Sequence, residues 1–272
     1  MKLTCVTATF NCIKAGNRER LIRCVESVAK LKTEHEHLIY DGASTDGTVD
    51  LLSELEAKTP GLKVVSEPDT GIYNALNKGV RDAQGEWFYV LGSDDYISNA
   101  DVLDILLLKS NADVIVTPTY KDIGVREIHT EWIFFGVPYC HQGEVVRTDV
   151  MRTLTGGFDE RFKICADYDQ MLKFHEAACR IYYSDDIFAH FGAGGISSSF
   201  HEKLVDDVVS VIASHFDVER HVALEMQQKM FMPFYLAFRY LWHRDAALRK
   251  AARFYFKTTC RRVLMSILFV RR

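Results

Sequence analysis

The sequence predicts an α/β fold: a Rossmann-like, mostly parallel sheet flanked by helices, followed by a helical extension at the C-terminus. Three observations lead to this prediction. Strand-like apolar runs alternate with helical stretches through the first half of the 272 residues, and repeated βα units of this length are typical of a doubly wound parallel sheet. The hydrophobic content of 48% is enough to build a large core. Only helical patterns follow residue 198.

The first half of the chain alternates predicted strands with predicted helices. Leu21, Val25 and Val28 recur at the spacing of one helix face, and Asn99 is a typical N-cap for the helix that follows it. The predicted strands are residues 3–10, 37–41, 63–66, 86–91 and 113–117, with one or two more within 121–135. The predicted helices are residues 17–32, 48–58, 72–83, 99–107, 147–154 and 167–178.

Glycine and serine concentrate at residues 192–199, which predicts a boundary between a domain of residues 1–198 and an extension of residues 199–272. From Phe231 onward this extension holds ten Lys and Arg against one acid, a net charge of +9, while the rest of the chain carries −13. Its apolar runs are shorter than the ~20 residues that a membrane span needs. The pattern predicts a basic amphipathic segment on a membrane surface or, alternatively, helices packed on the body with a solvated basic face. The acidic body disfavours nucleic acid as a partner.

The seven cysteines show no C-x-x-C pair and no metal-ligand spacing. Their odd number, and a first strand that begins directly after the start of the chain, predict reduced thiols in a cytoplasmic protein without a cleavable leader. Together with the basic extension, these features predict a peripheral position on the inner face of the cytoplasmic membrane.

Two adjacent acids, Asp94 and Asp95, follow the aromatic run of residues 86–91. Such a run is typical of a buried parallel strand, and ligands of open α/β sheets bind at the carboxyl ends of strands. Because neighbouring carboxylates repel each other, the pair predicts a divalent cation shared with a diphosphate. The alternative is a simple turn, since Ser-Asp-Asp also caps helices. Thr9 and Asp41 end two other predicted strands, and we expect all three strand ends to converge at one edge of the sheet.

Four motifs resemble, in order and spacing, those of the family 2 glycosyltransferases. They are Thr7-Ala-Thr-Phe-Asn11, Asp41-Gly-Ala-Ser-Thr-Asp-Gly-Thr48, Glu67-Pro-Asp-Thr-Gly-Ile-Tyr-Asn-Ala-Leu-Asn-Lys-Gly79 and Gly85-Glu-Trp-Phe-Tyr-Val-Leu-Gly-Ser-Asp-Asp95. The resemblance covers about residues 1–200. It implies a GT-A fold and an inverting transfer of a sugar from a nucleotide diphosphate-sugar. The second and third motifs look most like members that build bacterial surface polysaccharides.

The resemblance also implies roles for the residues at the strand ends. Asp41, with Thr9 beside it, matches the acid that contacts the nucleotide base. Asp94 would face the ribose, and Asp95 would hold Mn²⁺ or Mg²⁺. The cation would bridge the diphosphate and stabilise charge as the nucleotide leaves. The family favours a uridine nucleotide, and the basic aromatic extension points to a lipid-linked glycan as acceptor.

Five further residues are expected near the substrates. Asn74 and Lys78 lie on the helix of the third motif, although a solvated helix face explains Lys78 almost as well. His141 and Gln142 resemble a segment that lines the active site in polysaccharide-building members; the alternative for His141 is a hydrogen-bonded core histidine. His190 is a candidate for a further metal ligand. It precedes a glycine-rich loop, residues 191–197, that could close over the diphosphate.

The base that deprotonates the acceptor hydroxyl is assigned to Asp167, in a segment that resembles the family's base-bearing segment. An N-cap of the following helix is the alternative role for this residue. The usual family pattern is Glu-Asp, whereas this chain has Ala166 before Asp167, so the supporting acid is absent. Asp169 is the second choice for the base.

Competing functions are less consistent with the sequence. A sugar nucleotidyltransferase or a Rossmann dehydrogenase needs a glycine-rich loop after the first strand, and the chain has Thr9-Phe-Asn-Cys12 there. A catalytically inactive family member, acting as a nucleotide-binding or scaffolding partner, is supported by Ala166 alone. The four acids Asp41, Asp94, Asp95 and Asp167 argue against it.

Overall fold

The computed structural model describes residues 2–109, 111–192, 201–230 and 232–269, and for residues 201, 234 and 258–269 it describes the backbone alone. The strands are β1 (Leu3–Thr9), β2 (His35–Asp41), β3 (Leu62–Ser66), β4 (Trp87–Val90), β5 (Tyr96–Ile97), β6 (Val114–Val116), β7 (Thr119–Lys121), β8 (Val125–Arg126), β9 (Glu144–Arg147), β10 (Ile181–Tyr183) and β11 (Ala189–Phe191). The helices are α1 (Arg18–Val28), α2 (Thr48–Lys58), α3 (Ile72–Asp82), α4 (Ala100–Leu106), α5 (Thr148–Thr153), α6 (Ala166–Glu176), α7 (His201–Phe216), α8 (Arg220–Lys229), α9 (Phe234–Tyr240) and α10 (Ala246–Phe269). Two 3₁₀ turns, Thr130–Trp132 and His141–Gly143, complete the described elements.

The large sheet has seven strands in the order β10-β6-β9-β4-β1-β2-β3. β9 runs antiparallel to both of its neighbours, and the other pairings in this sheet are parallel. Thr9 pairs with Asp41, and Val6 pairs with Val90. The carboxyl ends of β1, β2 and β4 therefore lie at one edge of the sheet, which confirms the predicted α/β fold and the predicted meeting of the strand ends.

A second, four-stranded sheet in the order β5-β11-β7-β8 lies beyond β4. The sequence analysis missed β5, β9, β10 and β11, which are two to four residues long and too short to show a period. Residues 121–135 were expected to hold one or two strands. They contain the end of β7 and the two-residue β8, which confirms strands in this segment, and then the 3₁₀ turn Thr130–Trp132.

The large sheet is covered by helices on both faces. Along β4, Phe88 and Val90 pack into the core that contains α3 and α6, whereas Trp87 and Tyr89 pack into the core that contains α1 and α4. The helix α3 approaches β1 so closely that a Cβ at Gly79 would lie 2.4 Å from a methyl carbon of Val6. This close packing fixes the helix that carries Asn74 and Lys78 against the central strand.

The helices after residue 201 share the core of the sheet's α3 and α6 face. Phe134 contacts the rings of Phe216 and Tyr240, each at a centroid distance of 5.2 Å. Phe135 contacts Tyr255 on α10 at 4.7 Å. The inner faces of α7, α9 and α10 are thus packed on the body. Of the residues that the structure describes, none belong to a helix with both the length and the hydropathy of a membrane span.

The outer face of the same helices is aromatic and basic. Tyr235, Phe238, Trp242 and Phe254 are 53–69% exposed. Exposed basic residues accompany them: Arg239, Arg244, Lys250, Arg253 and Lys257. Most of the predicted boundary at 192–199 and most of the glycine-rich loop at 191–197 lie outside the described residues.

Two histidines tie the C-terminal helices to α6. His215 on α7 contacts Asp169 at 2.9 Å and Glu176 at 3.0 Å. His175 on α6 contacts Asp245, just before α10, at 3.1 Å. These contacts anchor the elements after residue 201 to the helix that begins at Ala166.

The His215 contacts predict a specific loss of stability at alkaline pH. Burial alone would lower the pKa of His215, but hydrogen bonds from its ring to Asp169 and Glu176 raise it to about 9. The pKa of His215 in the folded protein is above its unfolded value of about 6.5. The interaction of protonated His215 with the two acids therefore stabilises the fold fully below about pH 6.5, and this contribution is lost as the pH rises through about 9. We expect the Tm advantage of the wild type over His215→Gln to shrink by roughly 5 °C between pH 7 and pH 10. A Tm difference between the wild type and His215→Gln that stays constant from pH 7 to pH 10 would contradict the raised pKa of His215.

Candidate active site

Asp94 and Asp95 lie in the tight turn that follows β4. The Asp95 amide donates to the Gly92 carbonyl at 3.0 Å, and a Cβ at Gly92 would lie 2.3 Å from Asp95 Oδ2. Asp95 is 1% exposed. Its Oδ1 accepts a hydrogen bond from the Gly192 amide at 2.7 Å, and the side chain of Gln142 also bonds to this carboxylate. The turn, Gly192 and Gln142 thus hold Asp95 in one position.

Among the described residues, the one ion pair made by these two acids is a long contact between Asp94 and Arg20. Burial, and then the charge of Asp94, raise the pKa of Asp95 to about 7. Burial also raises the pKa of Asp94, and Arg20 Nη1 lies 3.9 Å from its Oδ2. That Oδ2 is buried and has no hydrogen-bond partner within the described part of the chain. A divalent cation would satisfy the free oxygen and offset the repulsion, so the donor set fits Mn²⁺ or Mg²⁺.

His190 lines the same cavity as Asp94, a space of about 220 Å³ that also contacts Arg20, Arg23, Tyr96, Asp122 and Gly192. Its ring stacks on Tyr96 at 4.7 Å, its Nε2 lies 3.6 Å from Asp122, and its buried Nδ1 has no partner among the described residues. In the described ranges no three His, Cys, Asp or Glu side chains form a complete metal cluster. A cation here would therefore need ligands from the substrate in addition to those of the protein.

Asp41, the last residue of β2, is held by hydroxyl groups from the ends of β1 and β3 and from the loop after β2. Its Oδ1 accepts from Thr9 Oγ1 at 3.0 Å and from Ser44 Oγ at 2.5 Å. Its Oδ2 accepts from the Ser44 amide at 2.8 Å and from Ser66 Oγ at 2.7 Å. Four hydrogen bonds fill the acceptor sites of a carboxylate. Asp41 therefore braces these strand ends, and a nucleotide base can bond to it only if one hydroxyl turns away. The sequence analysis missed Ser44 and Ser66.

Asn74 and Lys78 have partners within the protein. Asn74 Nδ2 donates to both carboxylate oxygens of Glu160, at 3.2 and 3.3 Å. Lys78 is 9% exposed, and its Nζ contacts Glu67 at 2.8 Å and the Pro68 carbonyl at 3.2 Å. The structure thus groups Asn74 with the segment before α6 and Lys78 with the end of β3, and it shows no contact of either with the acid pair among the described residues.

Asp167 is the second residue of α6, and the N-cap position belongs to Cys165. Asp207 of α7 holds the segment just before the helix, since it accepts hydrogen bonds from the Ile164 amide at 2.5 Å and the Cys165 amide at 3.2 Å. Asp167 Oδ1 accepts from the Tyr168 amide at 2.9 Å. Burial raises the pKa of Asp167 to about 6, which suits a base that works near neutral pH.

Asp169, the second choice for the base, is engaged elsewhere. Its carboxylate contacts His215 at 2.9 Å and Lys173 at 2.7 Å. It is 3% exposed, and its carboxylate points to α7, where His215 lies. Residues two apart on a helix point in nearly opposite directions, so Asp167 does not share this orientation. The geometry therefore favours Asp167 over Asp169 as the candidate base.

The 3₁₀ turn His141–Gly143 lies between two buried acids, Asp95 and Glu144. Gln142 bonds to Asp95, whereas His141 packs edge-on against Phe158 at 5.7 Å and lies 3.7 Å from Glu144. Burial lowers the pKa of His141 to about 4, so the imidazole is neutral at physiological pH. Glu144, at the start of β9, is a buried acid that the sequence analysis missed. Its charge environment includes Asp167.

The sequence model named Glycosyl transferase family 2 matches residues 4–165. The chain belongs to this family. A PGL/p-HBAD biosynthesis glycosyltransferase of Mycobacterium bovis is 28% identical over 193 residues, which is 66% of this chain and 75% of the relative. The chondroitin synthase of Escherichia coli is 29% identical over 183 residues, or 61% of this chain and 25% of that protein. The protein is therefore a family 2 glycosyltransferase.

Solved structures of low identity share the fold of this family 2 glycosyltransferase. S. aureus TarS 1-349 in complex with UDP-GlcNAc is 19% identical, with a TM-score of 0.66 over 96% of this chain and 92% of that chain. The mannosyltransferase PcManGT from Pyrobaculum calidifontis, in complex with GDP-Man and Mn²⁺, is 16% identical, with a TM-score of 0.62 over 92% of this chain and 73% of that chain. The chain spans 44% of a longer TarS structure. These similarities confirm the predicted GT-A fold.

Proposed function

We propose that this enzyme is a metal-dependent, inverting glycosyltransferase that uses a UDP-sugar. The observation that supports it most is the acid pair at the end of β4: Asp95 is buried and bonded to Gln142, and Asp94 Oδ2 is buried without a hydrogen-bond partner among the described residues. The TarS structures are complexes with UDP and with UDP-GlcNAc, which favours a uridine donor. The PcManGT structure is a complex with GDP-Man and Mn²⁺, which makes GDP the second candidate and favours a divalent cation as cofactor.

In the proposed reaction, Asp167 accepts the proton of an acceptor hydroxyl. The hydroxyl oxygen forms a bond to the anomeric carbon on the face opposite the diphosphate, and the bond from that carbon to the diphosphate oxygen breaks. The electron pair leaves with the nucleoside diphosphate. Asp94 and Asp95, with His190, would hold Mn²⁺ or Mg²⁺, which supplies positive charge to the departing diphosphate.

The stereochemical outcome tests this proposal. With UDP-GlcNAc, whose sugar is α-linked, and water as acceptor, we expect the first sugar released to be the β-anomer by proton NMR. Release should stop when the divalent cation is removed by EDTA and return when Mn²⁺ is added. Release of the α-anomer would contradict inversion. Nucleotide binding without turnover of any donor or acceptor would favour the inactive-partner alternative that Ala166 suggests.

We further propose that the acceptor is a lipid-linked glycan and that the enzyme binds the inner face of the cytoplasmic membrane. The support is the exposed aromatic and basic face around α9, which is attached to a body of opposite net charge. Phe238 and Trp242 contact each other at 5.3 Å and are 53% and 69% exposed. Such a face is suited to an anionic lipid surface, where aromatic side chains enter the interface and cations meet phosphates.

Substitution of the exposed aromatic side chains tests membrane binding and leaves the buried side chains of these helices in place. Deletion after about residue 230 would also remove Leu236, Ala237 and Tyr240, which are buried against the body. We therefore expect the combined change of Tyr235, Phe238 and Trp242 to Ser to reduce sedimentation with phosphatidylglycerol vesicles by roughly tenfold or more.

Changing Leu108 and Ile123 to Ser is the matched control, because these side chains are 72% and 95% exposed on the body. This control should leave sedimentation unchanged. Salt should weaken binding of the wild type, since exposed charges are screened. Equal sedimentation of the triple variant and the wild type would contradict the proposed surface.

A further inference from the structure

The two residues directly before α6, Ile164 and Cys165, have all of their backbone polar groups hydrogen-bonded. The Ile164 carbonyl accepts from the Tyr73 hydroxyl at 2.6 Å. The Ile164 and Cys165 amides both donate to Asp207 Oδ2, at 2.5 and 3.2 Å. The Cys165 carbonyl accepts from the Asp169 amide at 3.2 Å and so begins the hydrogen-bond ladder of α6. The direction in which α6 starts is therefore set by this pair of residues.

The two side chains that hold this pair come from distant helices. Tyr73 lies on α3, where it is buried and its ring stacks on Phe158 at 5.4 Å. Asp207 lies on α7, and the two residues that follow it, Val208 and Val209, are buried in the core shared with α6. The proposed reaction uses neither side chain. The segment before α6 is thus held between two packed helices, one on each side.

We infer that Tyr73 and Asp207 are positioning residues for the catalytic base: through the segment before α6 they orient the first turn of that helix, and with it Asp167. Asp167 is the second residue of α6, so a shift at Cys165 moves its carboxylate too. Ala166 offers no acid that could orient the base from the neighbouring position, and the orientation comes from α3 and α7 instead. The inference rests on the proposed function, since it takes Asp167 as the base.

The position of the base strongly affects proton transfer. A base must come within hydrogen-bond reach of the hydroxyl that it deprotonates, about 2.6–3.2 Å, and a misplacement of ~1 Å can slow a reaction roughly a hundredfold. The two bonds to the Asp207 carboxylate are charge-assisted and stronger than the neutral bond from Tyr73. Loss of Asp207 should therefore have the larger effect. Because Asp207 lies on α7, the helices after residue 201 contribute to the site as well as to the proposed membrane surface.

A double-mutant cycle on UDP release from UDP-GlcNAc separates positioning from a structural role. Tyr73→Phe removes only the hydroxyl and should lower kcat about tenfold, with the Kd for UDP unchanged. Asp207→Ala should lower kcat about thirtyfold, and Asp207→Asn, which keeps an acceptor oxygen, should recover most of this loss. In an Asp167→Asn background Tyr73→Phe should have no further effect, because the base that it positions is gone. Unchanged kcat in Tyr73→Phe, or the same loss in both backgrounds, would overturn the inference.

Tyr40→Phe is the matched control for Tyr73→Phe. The Tyr40 ring is buried, and its hydroxyl also donates to an oxygen at 2.6 Å, the Asp82 carboxylate. Asp82 is the last residue of α3, whereas Tyr73 is the second. The control loosens the opposite end of the same helix and should keep kcat within about twofold of the wild type. A tenfold loss in Tyr40→Phe would mean that kcat responds to any loosening of α3, which would overturn the inference.

Hydrogen exchange tests the same contacts without any activity. In Tyr73→Phe and in Asp207→Ala, the amides of Ile164, Cys165 and Asp169 should exchange roughly tenfold faster than in the wild type, well below the Tm. Their exchange should be unchanged in Tyr40→Phe. Unchanged exchange in both test variants would overturn the inference. If the wild type releases no UDP, the proposed function fails, while the exchange of these amides still shows whether the two side chains hold the segment.

Discussion

Asp167→Asn should lower turnover by about three orders of magnitude while the affinity for the donor stays near that of the wild type. Asn has the shape of Asp but cannot accept the acceptor's proton. The Asp167 side chain lies at the start of α6, where its Oδ1 accepts from the Tyr168 amide at 2.9 Å, and an Asn oxygen can keep that bond. In the proposed site, donor binding depends on the acids at the end of β4 instead. UDP release and calorimetric UDP binding, measured on the same preparation, check both halves of this prediction.

The control for this prediction is Asp169→Asn, on the same helix. Asp169 contacts His215 and Lys173 rather than the pocket, so its loss should lower Tm and leave kcat within a few-fold of wild type in the folded protein. The reverse result, with turnover kept in Asp167→Asn and lost in Asp169→Asn, would assign the base to Asp169 and contradict the geometry.

Asp95→Ala should abolish the part of UDP binding that depends on Mn²⁺. Asp95 is 1% exposed and fixed by Gly192 and Gln142, so no neighbouring carboxylate can move into its place without opening the turn. The change also removes the repulsion from Asp94, and the fold itself should tolerate it. Calorimetric titration of UDP with and without Mn²⁺ measures the effect directly.

Asp122→Ala provides the comparison, because Asp122 lines the same cavity but its side chain is 52% exposed. It should retain metal-dependent binding. If Asp95→Ala binds UDP with Mn²⁺ as tightly as the wild type does, Asp95 does not hold the metal.

The sequence was sufficient for the α/β architecture and for the meeting of the strand ends. Long βα units show their periods clearly, and parallel strands place their carboxyl ends at one edge. The residues after β1, β2 and β4 could therefore be grouped before the sheet order was known. Thr9 and Asp41 do pair across β1 and β2, and their side chains are hydrogen-bonded at 3.0 Å.

The partners of these residues were not accessible from the sequence, because they come from distant segments. Asp41 takes hydrogen bonds from Ser66, and Asn74 takes its partner from Glu160, more than 80 residues away. Glu144 lies on a four-residue antiparallel strand without a readable period. Only the folded chain shows that this acid is buried between Tyr139 and His141.

The extension shows a different limit of sequence patterns. An amphipathic basic helix has the same pattern whether its apolar face meets a membrane or the protein. In the structure Tyr240 and Tyr255 pack on the body, whereas Tyr235 and Trp242 are exposed. The membrane proposal therefore concerns only the exposed face of these helices. The charge pattern of the sequence does not distinguish this face from the face that packs on the body.

The most direct test of the central proposal is calorimetric titration of the wild type with UDP, GDP, CDP and dTDP, each with and without Mn²⁺. We expect tight binding of UDP that requires the cation, and much weaker binding of the other three diphosphates. Failure of the folded protein to bind any of them would contradict the metal-dependent transferase and favour the inactive-partner alternative.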